Sequence, residues 1–415
     1  MIELRAPRHI LSSSIYLSGS KSISNRFLIL KEISGLALSF ENLSTAEDTE
    51  LLQKALKQIE NKKTASINVH HAGTDMRFLT AFLAVQEGEW TLTGSERMKQ
   101  RPIGELVTAL KSLGAEITYL EKENFPPLSI HGKKLSGGKI EIDSSVSSQF
   151  ISALLLIAPK FENGLELHLK GETVSAPYIQ MTIALLKQAG ISIEQKKDQI
   201  RVGPSSVFHF PSSIHIESDW SSASYWYSIC ALAGNAQIEL HSLDQKSLQA
   251  DSVLPQLFEN LGVKTTFKEH SIILSSIKPV STEFNYDFTN CPDIAQTLAV
   301  TCFGLGIKAK FTGLSTLKVK ETDRLFALKT ELAKFGASVD ISNSTLELGI
   351  APPKNLSQEP IRINTYNDHR MAMSFAALAL RTSAVLIDDP AVVAKSYPAF
   401  WEDLKSVGFN VNLHA

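Results

Sequence analysis

The chain has 415 residues, 43% hydrophobic and 20% charged, and its 41 Lys+Arg against 43 Asp+Glu give a formal net charge of −2. This describes a globular protein of about two or three domains, and it excludes a nucleic-acid binder or a polybasic membrane adherent, which need a broad basic surface. Any attraction for anions must therefore be local.

Residues 1–21 hold two strand-like pieces, IELRAP and SIYLS. An apolar helix with a polar opening follows at Ser22 (SISNRFLILKEI). Such helices return at Thr74, Ser147, Ser221, Asp293 and Asp368, spaced by 52 residues at first and by 72 to 75 thereafter. A second helix type stops at Gly114, Gly190, Gly262, Gly336 and Gly408, and strand-like runs such as AEITYL and ASVDIS come next. The unit reads strand, helix, helix-glycine, strand, which predicts an α/β (α+β) fold. Its period is too long for a solenoid and suits small domain-like units.

Six units divide three and three, with the break just before Ser221. The last unit is short, and the two strand-like pieces of residues 1–21 are expected to supply what it lacks. The chain then crosses between domains twice, near Gly19 and near Ser218. This predicts an N-terminal domain of residues 20–217 and a discontinuous C-terminal domain of residues 1–19 and 218–415, with the active site in the cleft between them.

The three cysteines, Cys230, Cys291 and Cys302, lack metal or redox spacing and read as buried thiols of a reducing compartment. The longest apolar run, around Ile151 to Ala158, is under half of the roughly 18 residues a membrane span needs. The expectation is a cytoplasmic protein with no membrane partner.

Each helix start offers unpaired N–H groups and a positive dipole end, a ready anion site. In Lys21-Ser22-Ile23-Ser24-Asn25-Arg26 two cations and two hydroxyls open a helix, with Lys21 and Asn25, and Ser22 and Arg26, at i,i+4; the cluster is either an anion site or a capped helix with a solvated positive face. Ser18-x-x-Lys21 fits an S-x-x-K pattern, but no S-D-N or K-T-G follows. Ser147-Ser148-Gln149 is either a phosphate cradle or a plain cap. Gly73 brings backbone to another helix start, while His70-His71 lacks ligand spacing and reads as structural.

In the C-terminal half, Lys318-Val319-Lys320-Glu321-Thr322-Asp323-Arg324 opens a helix, either holding Glu321 beside Lys320 and Arg324 or forming a salt-bridged face. Asp293, after Pro292, is either a cap or a base. Asn367-Asp368-His369-Arg370 opens an otherwise apolar helix, where a solvated face is out of place.

The phrases GSKSISNR, AGTDMR, RPIGELVTAL, SSVSSQFISALLL, SAPYI, VKETDRLFAL, TYNDHRMAMSFAALAL and AKSYP, in this order along nearly the whole chain, resemble the 5-enolpyruvylshikimate-3-phosphate synthase family. The resemblance implies a two-domain inverse α/β prism, each domain of three βαβαββ repeats, closing on its substrates. It implies transfer of the enolpyruvyl group of phosphoenolpyruvate to the 5-hydroxyl of shikimate 3-phosphate with release of phosphate, on the route to chorismate, by a monomer without a cofactor or metal. On matching positions, Lys21, Ser22, Arg26, Ser147, Ser148, Gln149, Ser175, Asp293, Thr316 and Lys320 would bind shikimate 3-phosphate. Lys21, Gly73, Arg101, Gln149, Arg324, Arg370 and Lys395 would surround phosphoenolpyruvate, the site the family's inhibitor glyphosate occupies. Asp293 would be the base, Glu321 the proton donor, and Lys21 and His369 would complete the catalytic set.

Four positions depart from the usual pattern: His71 for Asn, Asp75 for a small residue, Phe78 for proline and Thr316 for Asn. Two other readings compete. UDP-N-acetylglucosamine enolpyruvyl transferase shares the fold but relies on a loop cysteine and a Lys-Asn start, whereas this chain has Lys21-Ser22 and no cysteine before Cys230. A non-catalytic scaffold of the same fold would make the charged helix starts a coincidence.

Overall fold

The computed structural model describes residues 1–7, 12–144, 147–171, 174–349 and 359–414. Two compact units result, Ser20–Ile216 and a discontinuous unit of Met1–Gly19 with Glu217–Ala415. No helix among the described residues is long and apolar enough to cross a membrane.

The N-terminal unit carries α1 (Lys21–Ser34), α2 (Glu47–Ile59), α3 (Gly73–Val85), α4 (Gly104–Ser112), α5 (Ser148–Ile157) and α6 (Ala176–Gln188). Strand Thr64–Asn68 runs parallel to Gly88–Thr93, which pairs antiparallel with Leu128–Gly132, and that strand with Glu116–Tyr119. With α3 and α4 in the connections, this is one βαβαββ repeat. Strands Gly138–Asp143, Leu165–Lys170, Ile193–Lys196 and Gln199–Val202 repeat the pattern around α5 and α6.

The first repeat departs from the expected plan. Its sheet is a two-stranded parallel pair, Ser39–Glu41 with Ser213–His215. After α2 the chain turns at Asn61, whose φ of 58° does the work of a stop glycine, and goes directly into Thr64–Asn68. No hairpin fits between them, which is why the first interval is short. The absence of a glycine there also hides α2 from a search for the helix-glycine pattern.

The C-terminal unit carries α7 (Trp220–Ala233), α8 (Leu254–Asn260), α9 (Ala295–Leu305), α10 (Arg324–Ala333), α11 (His369–Ala376) and α12 (Phe400–Ser406). Its described residues form three four-stranded sheets. The two N-terminal pieces do not both complete the last one. Ile2–Arg5 lies between Val385–Ile387 and Asn410–Leu413, whereas Ser12–Ile15 runs parallel to Gln237–His241 in another sheet. The reason lies just before α7, where Ser213–His215 is committed to Ser39–Glu41 and a substitute strand must lead that sheet.

The stop glycines 114, 190, 262, 336 and 408 all have positive φ, as helix terminators in the left-handed region require. Helices α7, α9 and α11 are buried almost all round, as befits central helices. Around them the core takes in Trp220, Trp226, Phe258, Phe311 and Phe375. Hydroxyls tie the three together: Ser224 to Thr297 at 3.1 Å and Thr297 to Ser374 at 3.3 Å.

Candidate active site

In the N-terminal unit the starts of α1, α3 and α5 carry the predicted residues. Lys21 opens α1, and its Nζ lies 2.9 Å from Asp48 Oδ2. Asn25 and Arg26 are buried rather than solvated, which discards the exposed-face reading of this helix. The Arg26 Nη1 donates to the Ser22 carbonyl at 2.8 Å and Nε to Thr182 Oγ1 at 2.7 Å, while Nη2 donates to Ser152 Oγ and the Tyr178 carbonyl.

Gly73 opens α3, and a Cβ built on it would overlap the Arg101 guanidinium. Glycine is thus what lets this arginine lie against the helix start. Ser147 caps α5, its hydroxyl accepting from the Gln149 N–H, and Gln149 Nε2 donates to Thr74 Oγ1 at 3.2 Å. The α5 and α3 starts therefore adjoin. Ser148 is buried, and Ser175 sits before α6 at a φ of 53°. Residues 145 and 146 of the serine-rich motif lie outside the described residues.

Arg77 has no role in the motif reading, yet it clips this region together. Its Nη1 donates to the Gly73 carbonyl and its Nη2 to the Pro102 carbonyl, both at 3.0 Å. The one signal in the sequence is a charge inside the apolar run TDMRFLTAFLAV.

In the C-terminal unit the predicted residues converge. Arg324, almost fully buried, reaches Asp368 at 2.7 Å, Glu321 at 2.9 Å and Asp293 at 3.1 Å. Lys395 Nζ lies 2.8 Å from Glu321, Arg370 Nη2 3.2 Å from Asp293, and Lys320 Nζ 3.7 Å from Asp293. His369 is buried at the head of α11, with Nδ1 3.8 Å from Asp368. Thr316 sits in the short turn Ser315–Val319, its hydroxyl shielded and without a hydrogen-bond partner among the described residues.

Two sequence expectations change here. Helix α10 starts only at Arg324, because Asp323 caps it by accepting from the Leu325 and Phe326 N–H groups. Lys320 and Glu321 therefore precede the helix, and the salt-bridged-face reading fails. Asp293 lies in the turn Pro292–Ile294 ahead of α9, whose N-cap position is Ile294. Burial pushes its carboxyl up, but Arg370, Lys320 and Arg324 outweigh this and hold it well below the ordinary range.

Asp251 joins this cluster without any motif to announce it. Its Oδ2 accepts from the Ser221 hydroxyl, which lies 3.5 Å from Arg370 Nη2. Burial first, and then the Asp293 charge, push it up to about 7. Free thiols Cys230, Cys291 and Cys302 are buried, and burial raises Cys230 to about 11 and Cys291 to about 12, which keeps both protonated and unreactive.

Two α/β units of repeated sheets, each with charged and hydroxyl groups gathered at helix starts, define a class of enzyme built to handle small anions. The chain belongs to the EPSP synthase (3-phosphoshikimate 1-carboxyvinyltransferase) family, whose model matches residues 57–404. It is 45% identical over 411 residues to a 3-phosphoshikimate 1-carboxyvinyltransferase of Bacteroides fragilis, covering 99% of this chain and 98% of that one. To the protein of the same name from Colwellia psychrerythraea it is 36% identical, with 96% and 97% covered. The fold is similar to a solved EPSP synthase of Acinetobacter baumannii, with a TM-score of 0.77 at 21% identity and 99% and 100% of the two chains covered.

Proposed function

We propose that this chain transfers the enolpyruvyl group of phosphoenolpyruvate to the 5-hydroxyl of shikimate 3-phosphate and releases inorganic phosphate. The observation that carries the reading is the cluster around Arg324, where Lys320, Arg370 and Lys395 stand against Asp293 and Glu321, in a chain so similar along its length to enzymes of that name.

In this reading Lys21, Ser22, Arg26, Ser147, Ser148, Gln149, Ser175, Thr316 and Lys320 take shikimate 3-phosphate, while Arg101, Arg324, Arg370, Lys395 and the Gly73 backbone take phosphoenolpyruvate. Together the substrates bring about five to six negative charges, from two carboxylates and two phosphates of about −1.5 to −2 each. They compete with Asp293 and Glu321 for the same cations. As phosphate and carboxylate oxygens draw Arg370, Lys320 and Arg324 to themselves, Asp293 loses the fields that hold it low and becomes able to accept the 5-hydroxyl proton. Glu321 gives a proton to the methylene carbon, the 5-oxygen of shikimate 3-phosphate attacks the adjacent carbon, and a tetrahedral intermediate forms. Glu321, now a carboxylate, takes a proton back from the new methyl group as the C–O bond to phosphate breaks, and the lysines and arginines stabilise the charge of the departing phosphate.

Phosphate release from phosphoenolpyruvate, assayed with shikimate 3-phosphate, with UDP-N-acetylglucosamine and with neither, tests the reading. Release only with shikimate 3-phosphate is expected. Release with the nucleotide sugar alone, or with neither acceptor, overturns it. We further take the enzyme to act as a cytoplasmic monomer, a setting that suits three buried free thiols.

A further inference from the structure

Arg26 is an unusual buried cation. It is 3% exposed, and its hydrogen-bond partners are neutral: two hydroxyls and two carbonyls. No carboxylate among the described residues lies within ion-pair range of it. A guanidinium taken out of water without a counter-ion carries a desolvation cost that neutral acceptors only partly offset, and burial lowers its pKa to about 10.

A third kind of contact completes its surroundings. The Arg26 guanidinium carbon lies 5.3 Å from the centroid of the Phe78 ring, which is itself 1% exposed. The negative face of an aromatic ring attracts a cation, and does so most strongly where water is excluded. Phe78 stands on α3 one turn after Asp75, whose Oδ1 accepts from Asn25 Nδ2 at 2.7 Å. Two residues of α3 thus grip two consecutive residues of α1. Both are positions where this chain departs from the pattern its motifs otherwise follow.

We propose that Phe78 is the positioning residue for Arg26: its ring holds a guanidinium without neutralising it, and so sets the affinity of the site for the carboxylate of shikimate 3-phosphate. The inference rests on the reading that Arg26 meets that carboxylate. A carboxylate side chain in place of the ring would hold the arginine equally well but would compete with the ligand for its charge; a ring face does not. Proline has no π face, so Phe78→Pro should impair shikimate 3-phosphate binding before it alters phosphoenolpyruvate binding.

The test is calorimetric titration of the full-length protein with shikimate 3-phosphate, alongside the KM for phosphoenolpyruvate. The variants are Phe78→Leu, 3,4,5-trifluorophenylalanine incorporated at position 78, and Arg26→Lys as reference. The fluorinated ring keeps the shape and withdraws the negative face. Both changes at 78 should weaken shikimate 3-phosphate by about five- to tenfold and leave the phosphoenolpyruvate KM within about twofold. If Arg26→Lys weakens shikimate 3-phosphate but the fluorinated ring does not, the ring acts only by packing, and the proposal falls while the placement of the ligand stands. If Arg26→Lys also binds shikimate 3-phosphate like the parent, that placement is wrong and both readings fall.

Discussion

Asp251 shows how one buried acid can report on its neighbours. Its raised pKa of about 7, caused by burial and then by Asp293, means that between about pH 4 and about pH 7 the folded chain keeps a proton that the unfolded chain releases. Its contribution to stability therefore falls as pH rises through that window and is level above it. Asparagine at 251 can still accept from Ser221 and has no charge to bury. Asp251→Asn should thus stabilise the protein more at about pH 8 than at about pH 4.5, by an upper bound of about 3 kcal/mol. Urea midpoints at the two pH values check this, and equal increments would mean that Asp251 is ionised throughout.

Glu321 and Gly73 make the other residue-scale predictions. Glu321→Gln keeps the shape of the side chain and removes its proton, so turnover should fall by at least about 10²-fold while ligands still bind. Near-parental turnover would remove Glu321 from the role of acid. In Gly73→Ala the new methyl meets the Arg101 guanidinium, so the arginine must swing aside. We expect a higher KM for phosphoenolpyruvate and a larger rise in the glyphosate inhibition constant, the inhibitor being the longer ligand. Unchanged values for both would show that this helix start does not face the ligand.

At the scale of elements, the three central helices of the C-terminal unit are joined by hydroxyls inside an otherwise apolar core. Thr297 is the shared member, bonded to Ser224 and Ser374. Thr297→Val preserves the shape and takes from fully buried Ser374 the hydroxyl it bonds to, while Ser224 keeps its bond to the Ser221 carbonyl. The expected loss is about 1–3 kcal/mol of unfolding free energy, the cost of leaving buried polar groups unmade. A denaturation curve indistinguishable from that of the parent would show that the ladder contributes nothing. The same principle explains α10. Its Asp323 cap delays the helix until Arg324, and this leaves Lys320 and Glu321 on the preceding turn, where they reach Asp293 and Lys395.

Across the whole molecule, net charge and local charge have opposite signs of effect. The chain carries −2 overall, yet Lys320, Arg324, Arg370 and Lys395 outnumber the charged carboxylates Asp293, Glu321 and Asp368 in one cluster wherever Asp251 keeps its proton. Such a local field draws in multiply charged anions and is screened by salt. We expect kcat/KM for phosphoenolpyruvate to fall by about threefold or more between about 0.01 M and about 0.15 M ionic strength. A flat salt dependence would show that the cluster does not steer the substrate.

The repeat, the helix starts, the glycine stops and the motif residues were legible in the sequence because each is a local signal: apolar periodicity, a polar opening, a residue that tolerates positive φ. Lys21, Ser147, Asp293, Glu321, Arg324 and Arg370 stand out for the same reason, as polar groups at the mouths of apolar helices. Tertiary structure alone decided which strand leads which sheet, since Ser12–Ile15 and Ser213–His215 are equally strand-like until one of them is paired elsewhere. It alone revealed Asp251, Arg77 and the Phe78 ring under Arg26, because their importance lies in contacts with residues far along the chain. It also turned Asp293 from a choice between cap and base into the centre of an ion cluster, for a carboxylate's chemistry is set by the charges that fold around it.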